Sequence, residues 1–249
     1  MKTIVKAIIL STLLYSCHKG ETTTEPTKNI SAVIDITDND AIFPESKSVI
    51  KLFGFDTVRG GEAWFRISTV TDRLLNPAIE HHLPDSKETE KNNIQDDPNY
   101  RDKLIISFQA AIRKTIASFN STNKKDTTLS NSECFATICN ELQLMKKRGA
   151  KDNILLVYSN LYENSDFFNS YTKENIKIIM DSTEKVVNIF NETGLLPNSL
   201  NGYTIYFIYQ PGSREGDKKY MAMVEVYKLL LEPRGAKIVV QATNDLYYE

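Results

Sequence analysis

Asn29–Asp40 reads NISAVIDITDND, an apolar run that ends in a cluster of oxygen-bearing side chains. Ile30, Ala32, Val33, Ile34 and Ile36 leave no polar face, the pattern of a strand buried on both sides in a parallel sheet covered by helices. Asp35, Thr37, Asp38, Asn39 and Asp40 crowd its carboxyl end. In open α/β sheets ligands bind at that end, where the strand order reverses.

Outward from this stretch the chain alternates between the two periods. Pro44 and Glu45 open a short helical pattern over 44–53, closed by Gly54. Glu62–Thr71 alternates, with Ala63, Phe65, Ile67 and Thr69 on one face and Trp64, Arg66, Ser68 and Val70 on the other. Residues 84–99 are strongly charged, with Ile94 the one large apolar side chain, and read as a surface excursion. Pro98 starts a long helix that keeps Leu104, Ile105, Phe108, Ile112, Ile116 and Phe119 in helical register. Ser130-Asn131-Ser132-Glu133 is a capping-box pattern ahead of a helix to Arg148, stopped by Gly149. Asn153–Ser159 is a second continuously apolar strand, and its end carries Asn160, Glu163, Asn164 and Asp166. One amphipathic helix over Lys173–Glu192, a strand at Tyr203–Tyr209, a helix bearing Tyr220, Met223, Val224, Tyr227, Leu230 and Leu231, and a last strand at Ala236–Ala242 complete the pattern. Such alternation predicts an α/β fold, doubly wound, with a mainly parallel central sheet and helices on both faces. One domain over residues 29–243 accommodates it, followed by a tail at 244–249.

The amino-terminal segment carries targeting information. Lys2 and Lys6 precede an apolar core, Ala7–Leu14, that is too short to span a bilayer. Leu14-Tyr15-Ser16-Cys17 resembles a bacterial lipoprotein signal, which implies a signal peptide over 1–16 and lipidation of Cys17. Three acyl chains at about 0.8 kcal/mol per buried methylene hold such a protein at a membrane. Residues 17–28, polar and Thr-rich, read as a tether. Removal of the leader leaves 28 basic residues against 32 acidic, a balance of −4, which gives no footprint for nucleic acid. Cys134 and Cys139, five apart, point about 140° apart around one helix and read as buried free thiols.

An apolar strand ending Asp35-x-Thr37-x-Asn39, with a later one ending Val-Tyr-Ser-Asn-Leu-Tyr-Glu-Asn-Ser at 157–165, resembles the von Willebrand factor A domain, a Rossmann-like fold, over roughly Ile30–Ala242. The chain is similar in particular to lipoproteins of Bacteroidetes-type bacteria that carry this domain in degenerate form. The resemblance implies an extracytoplasmic, membrane-anchored module that binds a protein partner, through a metal-ion-dependent adhesion site suited to Mg²⁺. Asp35 matches the first acid of that site and Thr37 the first hydroxyl. Asn39 stands where a second Ser belongs, and Asn160 where an Asp belongs. The hydroxyl from the second loop is Thr127, Thr128 or Ser130, with Thr128 the central candidate. Asp38, Asp40, Glu163 and Asp166 are the expected partner contacts around this rim. The bland alternative is that Asp35 caps the turn through backbone hydrogen bonds, while Thr37 and Asn39 shape it.

An enzymatic alternative shares the same aspartate. An Asp after a buried first strand and a Ser after a later one also resemble haloacid-dehalogenase-type phosphohydrolases, which implies Asp35 as nucleophile, Ser159 as phosphate contact, and Lys218 or Lys219 as charge stabiliser. Those enzymes place a second Asp two residues on, where this chain has Thr37. His81-His82 points to opposite faces of an extended segment and makes no metal pair. No phosphate-binding Gly loop or GxSxG elbow is present in the sequence.

Overall fold

The computed structural model describes residues 27–37, 42–57, 59–70, 77–93, 96–122 and 132–246. Six strands form one sheet: β1 (Lys28–Asp35), β2 (Ala63–Val70), β3 (Ala78–Leu83), β4 (Asp152–Tyr158), β5 (Tyr203–Ile208) and β6 (Lys237–Gln241), in the order β3-β2-β1-β4-β5-β6. All neighbours run parallel except β2 and β3, which pair antiparallel at one edge. The fold is therefore α/β with a mainly parallel sheet. Strand order reverses between β1 and β4, because the chain first moves outward through β2 and β3 and then returns to the other side of β1.

Among the described residues seven α-helices accompany the strands: α1 (Ser46–Phe53), α2 (Ser86–Asn92), α3 (Tyr100–Thr122), α4 (Cys134–Arg148), α5 (Lys173–Asp181), α6 (Thr183–Glu192) and α7 (Arg214–Leu231). The strand side chains sort by parity into two apolar layers. Ile30, Ala32, Ile34, Phe65, Ile67, Ile154 and Leu156 pack with Val49, Leu52 and Phe53 of α1 and with Ile105, Phe108, Ile112 and Ile116 of α3. Val33, Leu155, Val157, Ile205 and Phe207 pack with Phe135, Ile138 and Leu142 of α4, Phe190 of α6 and Tyr227 of α7. A sheet with apolar layers on both sides explains why β1 and β4 read as unbroken apolar runs.

Four sequence expectations change. The helix expected over Lys173–Glu192 is two helices, α5 and α6, broken at Ser182, whose φ of −151° leaves the helical region. The charged excursion after Pro84 folds in part into α2, where the Asp85 carboxylate accepts the Glu88 N–H at 2.7 Å and so caps the helix. No apolar stripe announces that helix, since Thr89 is its one buried residue. The capping box ahead of α4 is not used as such: the helix starts at Cys134, and its N-cap Glu133 makes no side-chain cap bond. Finally, residues 244–246, read as the start of a tail, return to the body. Asn244 donates to the Phe43 carbonyl at 2.9 Å, and Leu246 is buried in the layer of α1 and α3.

Gly202 has φ +81°, and a Cβ there meets the Lys151 carbonyl oxygen at 2.8 Å. Only glycine lets the chain approach closely enough for the Asn153 N–H to reach the Gly202 carbonyl at 3.0 Å, which starts the β4–β5 ladder.

On the face of β1 toward α4, Asn29, Ser31 and Asp35 flank Val33 and interrupt the apolar layer with buried polar groups. Buried Glu141 of α4 accepts from Ser31 Oγ at 2.8 Å and from Arg66 Nε at 3.0 Å. Arg66 also pairs with Glu80, which in turn binds Arg148. Arg148 donates to Asn29 Oδ1 at 2.9 Å and lies 5.1 Å above the Trp64 ring, which stacks on His82 at 3.8 Å. Glu141→Ala strands the Ser31 hydroxyl and removes one of the two carboxylates facing Arg66. Because Arg66 is partly exposed and keeps Glu80, the expected loss is about 2 kcal/mol. Denaturant unfolding measures it, and an unchanged midpoint rejects a stabilising role for the network.

Candidate functional site

Asp35 is the last residue of β1, at the carboxyl end of the sheet where the strand order reverses. Its side chain is 1% exposed, and both carboxylate oxygens are ringed by donors. Oδ1 accepts from the Thr37 N–H at 3.0 Å and from Thr37 Oγ1 at 2.6 Å. Oδ2 accepts from Ser159 Oγ at 2.9 Å and, at the long limit of 3.4 Å, from Ser132 Oγ. Burial without such donors disfavours a charged carboxylate by several kcal/mol, so the hydroxyl ring is what lets Asp35 occupy this position.

Each hydroxyl is placed by a different element. Thr37 sits two residues beyond β1 in the turn that Asp35 itself closes. Ser159 directly follows β4, and the β1–β4 register, Ile34 opposite Tyr158, carries it to Asp35. Its Oγ also accepts the Leu161 N–H at 2.9 Å. Ser132 precedes α4 and is held by a two-way backbone bridge: the Asn164 N–H donates to the Ser132 carbonyl at 2.9 Å, and the Ser132 N–H returns to the Asn164 carbonyl at 3.3 Å. Leu161, wholly buried, takes φ +64°, a left-handed conformation that costs a non-glycine residue energy and bends the chain at this rim.

The expected site residues divide. Asp35 and Thr37 are in direct contact, Thr37 donating to Asp35 through both its N–H and its hydroxyl, as in the turn-capping alternative. Asn160 lies at the same rim, next to Ser159, and its Oδ1 accepts the Tyr162 N–H at 2.8 Å, an Asx-type turn. Cys17, Asp38, Asn39, Asp40, Thr127, Thr128 and Ser130 lie outside the described residues. Among those described, Ser132 supplies a hydroxyl to Asp35. Asp166 is exposed, as a partner contact requires.

Glu163, expected among the partner contacts, is fully buried instead. Its Oε2 accepts the Phe135 N–H at 2.7 Å in the first turn of α4, which is the cap that the sequence assigned to Ser130. Oε1 has no hydrogen-bond partner, although Ser165 lies close enough to favour the ionised form. Burial pushes the Glu163 carboxyl up to about 7, with the charges of Glu133 and Asp35 adding to the shift and the Phe135 N–H opposing it. Beside it the Cys134 thiol lies 3.5 Å from Ser159 Oγ, and burial raises its pKa further above the usual range. Cys134 and Cys139 are both free and buried, so neither is a reactive thiolate.

Ser159, the phosphate contact of the phosphohydrolase reading, does lie on Asp35. Lys219 pairs with Glu215 at 2.7 Å and borders a small dimple with Tyr162, Ile176 and Met180, while Lys218 is exposed. His81 and His82 separate as expected, His81 to Thr115 and His82 to Glu62, each at 2.7 Å. Among the described residues no three His, Cys, Asp or Glu side chains converge as a metal cluster, and no helix is long and apolar enough to cross a membrane. A cavity of about 430 Å³ lies at the opposite, amino end of the sheet, between Leu52, Phe53, Phe55 and Ala63, with Lys28 and Asp152 paired at its rim at 3.0 Å.

Ser159 was singled out in the sequence only as a phosphate contact of the phosphohydrolase reading, and the parallel β1–β4 pairing makes it a donor to Asp35. Ser132 and the capping role of Glu163 carried no local signal, because both depend on the bridge between residues 132 and 164.

No family model and no curated protein sequence matches the chain. Nine chains of solved structures do. One is a mutant of the PilB minor pilin from Streptococcus sanguinis, 11% identical, covering 90% of this chain and 59% of that one, with a TM-score of 0.48.

Proposed function

We propose that this protein is a membrane-tethered, extracytoplasmic binding module of the von Willebrand factor A type, doubly wound about its sheet, which captures a protein partner at the rim around Asp35. The observation that carries the reading is the buried Asp35 carboxylate ringed by the hydroxyls of Thr37, Ser132 and Ser159 from three separate segments. A turn cap needs one or two backbone donors. A convergent set of hydroxyl oxygens is what a hard cation requires.

The donor set fits Mg²⁺ on its chemistry. A hydroxyl has one hydrogen and two lone pairs, so Thr37 and Ser132 can donate to Asp35 while turning an oxygen lone pair toward a cation. Ser159 has already given a lone pair to the Leu161 N–H. Asp35 already accepts four hydrogen bonds, so its charge would act through water while Thr37 and Ser132 would offer the direct oxygens, a weak site in which Mg²⁺ would keep several waters. Held by these residues, Mg²⁺ would supply a positive charge for an acidic group of the partner. Asp35 supplies the charge, and Thr37 and Ser132 orient the oxygens.

Two exposed side chains support a macromolecular partner. Tyr171, 51% exposed, and Met180, 44% exposed, flank the segment that follows β4, where Tyr171 meets the Tyr162 ring edge-on at 5.5 Å. Aromatic and Met anchors of this kind are favoured at interfaces.

Thermal unfolding with increasing Mg²⁺ is the test. At a hundredfold excess over Kd the melting temperature rises by roughly 5–10 °C for a chain of this size, and Asp35→Asn abolishes the rise. Absence of any shift with Mg²⁺, Mn²⁺ or Ca²⁺ rejects the metal. Capture of the same envelope proteins by wild type and by Asp35→Asn rejects the rim as the binding face.

A further inference from the structure

We infer that the amino-end face of the sheet is a docking surface for an anionic phospholipid bilayer, with Lys146, Lys147 and Lys151 as its contacts. The inference rests on the tethered reading above and adds an orientation to it. Four cations fall within residues 146–151, at the end of α4 and the start of β4. Arg148 is turned inward onto Glu80, Asn29 and Trp64. Lys146, Lys147 and Lys151 are exposed. Asp152, the next acid along the chain, is neutralised by Lys28 at 3.0 Å.

The position of this patch is the second observation. The Lys151 N–H donates to Thr27 Oγ1 at 3.1 Å, and the Asp152 N–H donates to the Thr27 carbonyl at 3.2 Å. Thr27 is where the chain arrives from its amino-terminal segment, so the lysines sit beside the point of attachment. A lipid on Cys17 leaves only residues 18–26 in between, whose covalent reach is at most roughly 35 Å. The patch is thereby held close to the headgroups. Near an anionic surface each lysine contributes roughly a fivefold gain in partitioning, so three contribute on the order of a hundredfold, within a Debye length of about 8 Å.

The geometry assigns a direction as well. β1 climbs from Lys28 to Asp35, about 23 Å along an eight-residue strand. With the lysines down, the Asp35 rim faces away from the membrane, open to a partner. The attraction is local to the lysines at the end of α4, because Glu62 before β2 and Glu88 and Glu90 of α2, joined to Gly60 by the Ser86 N–H, lie at the same end of the sheet.

Trp64 provides the readout. It is the one tryptophan of the chain, stacked beneath Arg148 and opposite Asn29, one residue from the start of β1. The protein used begins at residue 18, lacks Cys17 and retains both apolar layers as they are formed among the described residues. It is mixed with vesicles of phosphatidylcholine alone or with phosphatidylglycerol, and binding is read by co-sedimentation. Expected are binding to the anionic vesicles alone, a change in Trp64 emission on binding, and release in 0.5 M KCl. The triple variant Lys146→Glu, Lys147→Glu, Lys151→Glu, confirmed folded by its circular dichroism, binds at least a hundredfold more weakly. Equal binding to both vesicle types, unchanged binding of the triple variant, or no binding to anionic vesicles each overturns the docking surface. The tether stands or falls separately, on the mass of the mature amino terminus isolated from cells, which either carries acyl chains on Cys17 or does not.

Discussion

Asp35→Ala is expected to lower the stability of the protein by about 3 kcal/mol at neutral pH without added divalent ions, while Asp35→Asn loses roughly half as much. Four donors converge on the two carboxylate oxygens: the Thr37 N–H and the hydroxyls of Thr37, Ser132 and Ser159. Hydrogen bonds to a charged acceptor contribute about 1.5–3 kcal/mol each in favourable geometry, and the 3.4 Å contact from Ser132 falls well below that. Alanine leaves Ser159, wholly buried, and Ser132, nearly so, to find other acceptors. The hydroxyls can rotate, and removing the Asp35 charge relieves Glu163, which is why the expected loss is smaller than the sum of the bonds. Asparagine keeps one oxygen as acceptor. Guanidinium unfolding measures both variants, and an Asp35→Ala protein as stable as wild type removes the hydroxyl ring as a structural feature.

Glu163→Gln is expected to stabilise the protein at pH 8 and to flatten its stability profile between pH 4.5 and 7. The ordinary carboxyl value near 4.5 describes the unfolded chain, and burial first of all raises it to about 7 in the fold. Between these values the native state holds a proton that the unfolded state has released. Stability from this group is therefore fully present below pH 4.5 and is lost as pH rises toward 7. The whole swing is on the order of 3 kcal/mol. Glutamine carries no charge to desolvate, and its amide oxygen can still accept the Phe135 N–H, so the first turn of α4 keeps its partner. Other titrating groups, His81 among them, are common to both proteins and cancel in the difference. Parallel profiles for wild type and variant from pH 4.5 to 8 refute a charged, buried Glu163.

Helices and strands differed in how far they could be read. β1 and β4 were legible because burial on both faces removes every polar position, α3 and α7 because an apolar stripe repeats with the helical period, and α4 by its Gly149 stop. β3 escaped notice: Ala78, Ile79, Glu80, His81 and His82 show no alternation, since the strand lies at an edge and is held by its antiparallel ladder with β2 and by the bond from His81 to Thr115. The break between α5 and α6 at Ser182 has no Pro or Gly to mark it, and the apolar period of Ile176, Ile179, Val186 and Phe190 runs across it undisturbed. α2 is stabilised at its end, by Asp85, rather than along a face.

Composition and periodicity alone determined that this chain makes an α/β sheet with Asp35 at the carboxyl end of its first strand, because burial and helical repeat are written residue by residue. Tertiary structure decided what surrounds that aspartate. Ser159 reaches it through the parallel pairing of β1 with β4, Ser132 through the bridge to Asn164, and Glu163 turns inward to cap α4 instead of facing a partner. Those encounters join residues from 28 to 124 positions apart, and their free energy appears only when strand order and loop path bring the groups together. No local pattern in the sequence encodes that sum.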